Sequence, residues 1–244
     1  MATKVIDTGI EYPSSDGKPV AESDIHRKLL LDVVERLIAR YAHRRDVYAS
    51  GNLLVYYLQD HPRKSLAPDA FVVFGVPNHD RETFLTWEEG AFPSVVFEFT
   101  SKTTRKEDLV TKFKIYQNIW KVQEYFLFDP RDEYLEPSLQ GFRLVCGKLV
   151  PIMLVDGVAK SELLGITLSR DGEYLILKDL ITGKDVLTDE EQKAVDAQQK
   201  AVDAQQKAVD AQQQAAGEKL AREQVEAENA ILKAEIAALK RKKS

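Results

Sequence analysis

The sequence predicts an α/β domain, a mixed sheet flanked by helices, followed by a long C-terminal coiled-coil helix. Between Ser94 and Phe128 a strand-length apolar run, a helix-period stretch and a second strand-length run follow one another, the sequence form of a βαβ crossover. Short runs rich in β-branched and aromatic residues, each bounded by breakers, surround that unit. After about Leu187 the apolar residues thin out, and QKAVDAQ repeats at Gln192, Gln199 and Gln206.

Residues 1–20 are polar and carry the turn signals Pro13, Ser14, Ser15, Asp16 and Gly17, so they read as a lead-in. The domain itself is expected over 21–187. Ser23 or Asp24 is placed to cap a helix reaching about Tyr41. Ile25, Leu29, Leu30, Val33, Val34, Leu37 and Ile38 recur there at three- and four-residue spacing and give one apolar face. Val47–Gln59 (interrupted at Gly51-Asn52), Ala70–Phe74 and Ser94–Thr100 have the length and composition of strands. Thr104–Trp120 reads as a helix, with Leu109, Phe113, Tyr116 and Trp120 on one face. Glu124–Phe128 is the next strand, stopped by Asp129-Pro130, and Phe142–Val145, Leu149–Val155, Leu163–Leu168 and Tyr174–Leu177 follow.

The segment 188–244 favours helix throughout and carries one heptad register. Position a takes Ala194, Ala201, Ala208, Ala215, Arg222, Asn229 and Ile236; position d takes Ala197, Ala204, Ala211, Glu218, Val225, Leu232 and Leu239. Val225, Leu232 and Leu239 at d with Asn229 at a favour a parallel homodimer, in which Glu228 faces Lys233 and Glu235 faces Lys240 of a second copy. A solvated single helix ending in the basic run at 240–243 is the other reading, since an alanine seam buries little area.

A net charge of -5 argues against a protein that binds nucleic acid through bulk Lys/Arg–phosphate attraction, though a local basic rim would suffice for an enzyme. The one cysteine, Cys146, excludes an intrachain disulfide and a cysteine-based zinc site, and its apolar surroundings suggest a buried position. The N-terminus has no apolar signal core and no stretch is apolar enough to span a membrane, so a cytoplasmic protein is expected.

Two acidic residues stand out. Asp69 opens the apolar run AFVVF after Pro68, and Glu98 interrupts VVFEF. A carboxylate in such a strand needs a cation, a strong hydrogen-bond partner or an outward-facing position. Asp69 as a Pro-Asp turn residue, and Val96, Glu98 and Thr100 on a wetter strand face, are the structural alternatives. His26 reads as a partly buried helix residue, with a catalytic base as its alternative, and His43, His61 and His79 as surface residues without metal-ligand spacing.

The pieces PDAFVVFG (Pro68–Gly75), VVFEFTSKTTRKED (Val95–Asp108), the spacing Asp108, Lys112, Tyr116, and VQEYFLFDP (Val122–Pro130) together resemble the Uma-type restriction endonuclease family of the PD-(D/E)xK nuclease superfamily. The resemblance covers roughly residues 10–180. It implies a restriction-endonuclease-like fold and a metal-dependent endonuclease acting on DNA. By that resemblance Asp69 and Glu98 hold Mg2+ (or Mn2+), and Lys112 replaces the superfamily lysine, whose usual position is Thr100 here. Glu22 is an accessory acidic candidate, with a charge in a helix's first turn as its alternative. Lys102, Arg105, Lys106 and Lys114, with Lys121 beyond them, are candidate DNA contacts or a solvated helix face. The rival expectation is a catalytically weak or inactive DNA- or protein-binding module assembled through its coiled coil.

Overall fold

The computed structural model describes residues 11–15 and 23–242, with side chains described through 234. It divides into two compact units, Met1–Asp189 and Glu190–Ser244.

The first unit is built on a six-stranded sheet. Its strands are β1 (Val47–Ser50), β4 (Ala70–Phe74), β6 (Val95–Phe99), β7 (Glu124–Phe128), β8 (Leu139–Val145) and β9 (Lys148–Pro151), hydrogen-bonded in that order. All neighbours are antiparallel except β6 and β7, which run parallel as the expected crossover demands. Short strands β2 (Val55–Tyr56), β3 (Ser65–Leu66) and β5 (Phe84–Leu85) form a small side sheet, and one helical turn, α2 (Thr86–Glu89), follows β5. A third sheet holds β10 (Ala159–Ser161), β11 (Ile166–Asp171) and β12 (Tyr174–Asp179).

Each face of the main sheet carries its own apolar core. On one face α1 (Asp24–Tyr41), N-capped by the Ser23 side chain, packs Leu29, Val33 and Leu37 against Ala70, Val72, Phe97 and Phe126, with Ile166, Leu168 and Leu177 closing the layer. Arg40 of α1 fixes the third sheet by bonding the carbonyls of Leu164 and Gly165 and the Asp179 carboxylate. On the other face Tyr116 and Trp120 cover Phe71, Val73, Val96, Tyr125 and Leu127. They belong to α3, a continuous helical run over 105–120 that is π-helical at Glu107–Lys112 and Tyr116–Trp120. Nothing in the sequence pattern announced the π turns, which widen the helix where it meets Glu98.

Cys146 corrects the expectation of burial. It is exposed, and with Gly147 it forms the two-residue turn between β8 and β9, both at positive φ (49° and 79°). That is the geometry of a type I′ hairpin, which overrides the apolar flanks.

The second unit is one helix, α4 (Asp189–Lys242). Its repeat has a local cause: Gln192, Gln199 and Gln206 each donate to the Asp four residues on, at 2.7, 2.8 and 2.8 Å. The heptad residues Val225 and Leu232 are exposed on it. The side chains of Glu235, Ile236, Leu239 and Lys240 and of the basic run at 240–243 lie outside the described residues. Among the described residues no helix is long and apolar enough to cross a membrane.

Candidate active site

Strand register brings the two acidic residues together. β4 and β6 pair Phe71 with Val96 and Ala70 with Phe97, so one further step sets Asp69 across from Glu98. Side chains alternate along a strand, and Phe71, Val73 and Val96 all belong to the α3-side core. Asp69 and Glu98 share their parity and therefore project from that face, at the end of the sheet where both β6 and β7 finish. Both line one cavity of about 580 Å3, together with His26, Thr100, Lys102, Asp108, Lys112, Arg131 and Tyr134.

The face is not the wetter one considered from sequence, since Glu98, Thr100 and Asp108 are each 1% exposed. Burying an unpaired carboxylate costs several kcal/mol, and α3 supplies the compensation. The Lys112 ammonium donates to Glu98 Oε2 at 2.7 Å and the Tyr116 hydroxyl donates to Glu98 Oε1 at 2.5 Å, short as charge-assisted bonds are. Asp108, one turn before Lys112, has Oδ1 3.1 Å from the same ammonium but out of line for a hydrogen bond, and neither of its oxygens has a hydrogen-bond partner. Asp69 Oδ2 accepts from the Phe99 amide at 2.6 Å and stands 3.2 Å from His26 Nε2. The start of α3 is fixed by a reciprocal cap, in which the Ser101 amide donates to Thr104 Oγ1 and the Thr104 amide donates to Ser101 Oγ.

Three carboxyl groups thus meet one ammonium in a poorly solvated pocket. Burial raises the Glu98 carboxyl to about 8; Lys112 opposes the rise, while Asp69 and Asp108 add to it. Burial also raises Asp108, again opposed by Lys112. Burial by itself would lower the Lys112 ammonium, but Glu98, Asp108 and Asp69 outweigh it and hold its pKa above the usual lysine range. Burial and the Glu98 charge keep the Tyr116 phenol well above its ordinary value.

This surplus of oxygen ligands suits a hard cation. Asp108 offers two buried oxygens without a hydrogen bond, and Thr100 Oγ1 is in the same condition. Among the described residues no three Asp, Glu, His or Cys side chains form a ready metal-ligand cluster. A cation here would draw on one or two carboxylates plus water or substrate oxygens, the habit of magnesium rather than of zinc.

The model of the Uma2 family, described as "putative restriction endonuclease", matches residues 6–168 of this chain. The chain belongs to the Uma2 family. Membership supports a nuclease and agrees with the mixed α/β fold. A crystal structure described as a putative nuclease belonging to DUF820 from Anabaena variabilis is similar at TM-score 0.44 and 16% identity, over 60% of this chain and 76% of that one. No curated protein matches the chain.

Of the residues expected to act in this Uma2 protein, Asp69, Glu98 and Lys112 meet in the cavity, and Lys102 stands at its rim. Arg105, Lys106 and Lys114 are exposed on α3 but do not line it. Lys121 ends α3 in a left-handed conformation and does not line it either. Glu22 lies outside the described residues. His43, His61 and His79 are exposed, as expected. Sequence reasoning assigned no site role to three contributors. Asp108 and Tyr116 were visible only as a four-residue spacing with Lys112, and His26 as a residue in the first turn after the Ser23 cap, with a base as its alternative.

Proposed function

We propose that this chain is a metal-dependent endodeoxyribonuclease, a cytoplasmic hydrolase of DNA phosphodiester bonds in which Asp69 and Glu98 hold Mg2+ or Mn2+. The observation that carries this reading is the convergence of Asp69 and Glu98, from neighbouring strands, on one cavity with Lys112 2.7 Å from Glu98. A cation held there would polarise the phosphate and lower the pKa of a bound water.

The chain's own groups do the positioning. The Phe99 amide and His26 fix one oxygen of Asp69, and Oδ1 makes no hydrogen bond among the described residues. Lys112 and Tyr116 fix Glu98. An ammonium has three donors; among the described residues Lys112 gives one to Glu98 and only an ion pair to Asp108, which leaves donors for the attacking water or a phosphate oxygen. Lys112 thus takes the task that Thr100 cannot perform. Lys102 at the rim would meet the DNA backbone, Arg105, Lys106 and Lys114 would extend that contact along α3, and Glu22 would add acidity near the metal. Two copies joined through Val225, Leu232 and Asn229 of α4 would bring two sites to two strands.

The test is cleavage of supercoiled plasmid under Mg2+ or Mn2+ titration by the wild type, Asp69→Ala, Glu98→Ala and Lys112→Ala. The wild type is expected to yield nicked and linear DNA, the acidic variants none, and Lys112→Ala a rate reduced by about two orders of magnitude. Wild-type cutting by either acidic variant refutes the assignment. A wild type that binds DNA without cutting supports the rival reading of an inactive module, which is favoured by Lys112 already being paired with two carboxylates.

A further inference from the structure

A rigid loop stands at the cavity mouth, and its most prominent side chain has no task in the chemistry above. β7 lies parallel to β6, so the residues after Phe128 emerge at the same end of the sheet as Glu98. The first of them, Asp129, is 0% exposed, and no cation among the described residues is paired with its carboxylate. Instead it accepts four backbone N–H groups of its own loop: Arg131 at 3.0 Å, Glu133 at 2.8 Å, Leu135 at 3.0 Å, and Tyr134. A buried carboxylate ringed by amides holds the loop in one conformation.

That conformation sets Arg131 on a ridge. Arg131 lines the catalytic cavity and also a second cavity of about 390 Å3, and the two meet at Ser23, Ile25 and Arg131. The second cavity holds another exposed cation, Lys28, beside the half-exposed ring of Tyr174. Its acidic members are Asp24, which is tied to Arg27 at 3.0 Å, and Glu173. Arg36, Arg40, Arg81, Arg143 and Arg170 are each held by a carboxylate. The Arg131 guanidinium makes no ion pair or side-chain hydrogen bond among the described residues, although the neighbouring cavity is rich in carboxylates.

We propose that Arg131 grips a backbone phosphate next to the one being cut, and that the second cavity, with Lys28, carries the strand away from the site. The inference rests on the nuclease reading for what enters the main cavity. A planar guanidinium with five donors matches the paired oxygens of a phosphate, and a loop locked by Asp129 presents it already oriented. Arg131 is therefore assigned to holding the substrate rather than to the bond being broken.

Binding of a fluorescently labelled DNA oligonucleotide, followed by anisotropy in Ca2+ across a salt series, tests this with the full-length protein. Arg131→Gln and Lys28→Gln should each flatten the slope of log K against log salt by about 0.9 on duplex DNA. Arg131→Lys should keep the wild-type slope yet bind more weakly, because charge survives and the fork does not. Lys160→Gln, at an exposed position beside Glu124's end of the sheet, serves as the control and should match the wild type. Wild-type binding with an unchanged slope in Arg131→Gln overturns the Arg131 assignment alone. A wild type that binds with the expected slopes but never cuts overturns the nuclease reading and keeps Arg131 and Lys28 as contacts to the DNA backbone. No binding by the wild type overturns both.

Discussion

Replacing Glu98 by Gln in the metal-free protein isolates the electrostatic cost of the buried cluster. The Glu98 carboxyl titrates near 8 in the folded chain against 4.5 when free. The folded state therefore holds this proton more tightly than the unfolded state. The stability Glu98 contributes is complete below pH 4.5 and is lost as pH climbs toward 8. Within that window the folded chain carries one proton more, so unfolding free energy falls by about 1.4 kcal/mol per pH unit. Across the whole window the ceiling is about 5 kcal/mol, reached only if Glu98 titrates alone; the raised Asp108 carboxyl shares the titration and spreads the step, while Lys112 stays charged. Gln has nearly the same shape, keeps an acceptor for Tyr116 and never ionises. It leaves Lys112 with Asp108 at 3.1 Å, which adds an offset to stability at every pH in the window. The informative quantity is the change with pH of the difference between the two proteins. Urea unfolding in EDTA, followed by tryptophan fluorescence from pH 5 to 8, reads it cleanly, because Trp87 and Trp120 both lie in the first unit and α4 is silent. The wild type should lose several kcal/mol relative to Glu98→Gln over that range. A difference that stays flat to within about 0.5 kcal/mol would mean that Lys112 keeps Glu98 ionised throughout and that burial is the weaker effect.

Two further substitutions probe the scaffold. A Cβ at Gly51 would stand 2.2 Å from the Asp69 carbonyl oxygen and 2.5 Å from Val34 Cγ2, and the carbonyl is backbone that cannot step aside. Gly51→Ala should cost about 1–3 kcal/mol in denaturant unfolding and, by displacing Asp69, lower metal-dependent cleavage at least tenfold; an unchanged rate would detach Asp69 from the reaction. Cys146→Asn, by contrast, should raise stability by about 0.5 kcal/mol, since Asn before Gly suits a type I′ turn better than Cys; a lower melting temperature would contradict the turn assignment. Sedimentation of the full chain against one ending at Thr188 addresses assembly. The full chain should behave as a dimer and the shorter one as a monomer, and an unchanged oligomer would remove α4 from the argument.

What the sequence showed, and what it hid, follows the range of the forces involved. β4 and β7 matched their apolar runs to the residue because local periodicity and nearby breakers define both ends. β2 lies within the predicted run Val47–Gln59, whereas β3 and β5, two residues each, carry no such signal and exist because neighbouring backbone is there to pair with. The same division runs through the site. Glu98 was conspicuous because it breaks an apolar run, and a local rule broken without local compensation points to a functional position. Its compensation, Lys112 and Tyr116, lies 14 and 18 residues on, and only the four-residue spacing hinted at it. His26 reaches Asp69 across 43 residues, a distance at which sequence spacing says nothing.

Asp129 shows the limit most sharply. Beside Pro130 it reads as a strand terminator, and it is one, yet the same carboxylate collects four backbone amides and so shapes the loop that walls the cavity. A residue that ends a strand at the active end of a parallel pair is also the first residue able to build what stands over the site. The short step from β7 to Arg131 therefore ties the cavity wall to the sheet more closely than the longer route through α3. The cavity's floor and its rim descend from adjacent parallel strands, so any slip of β7 against β6 would displace Arg131 relative to Glu98.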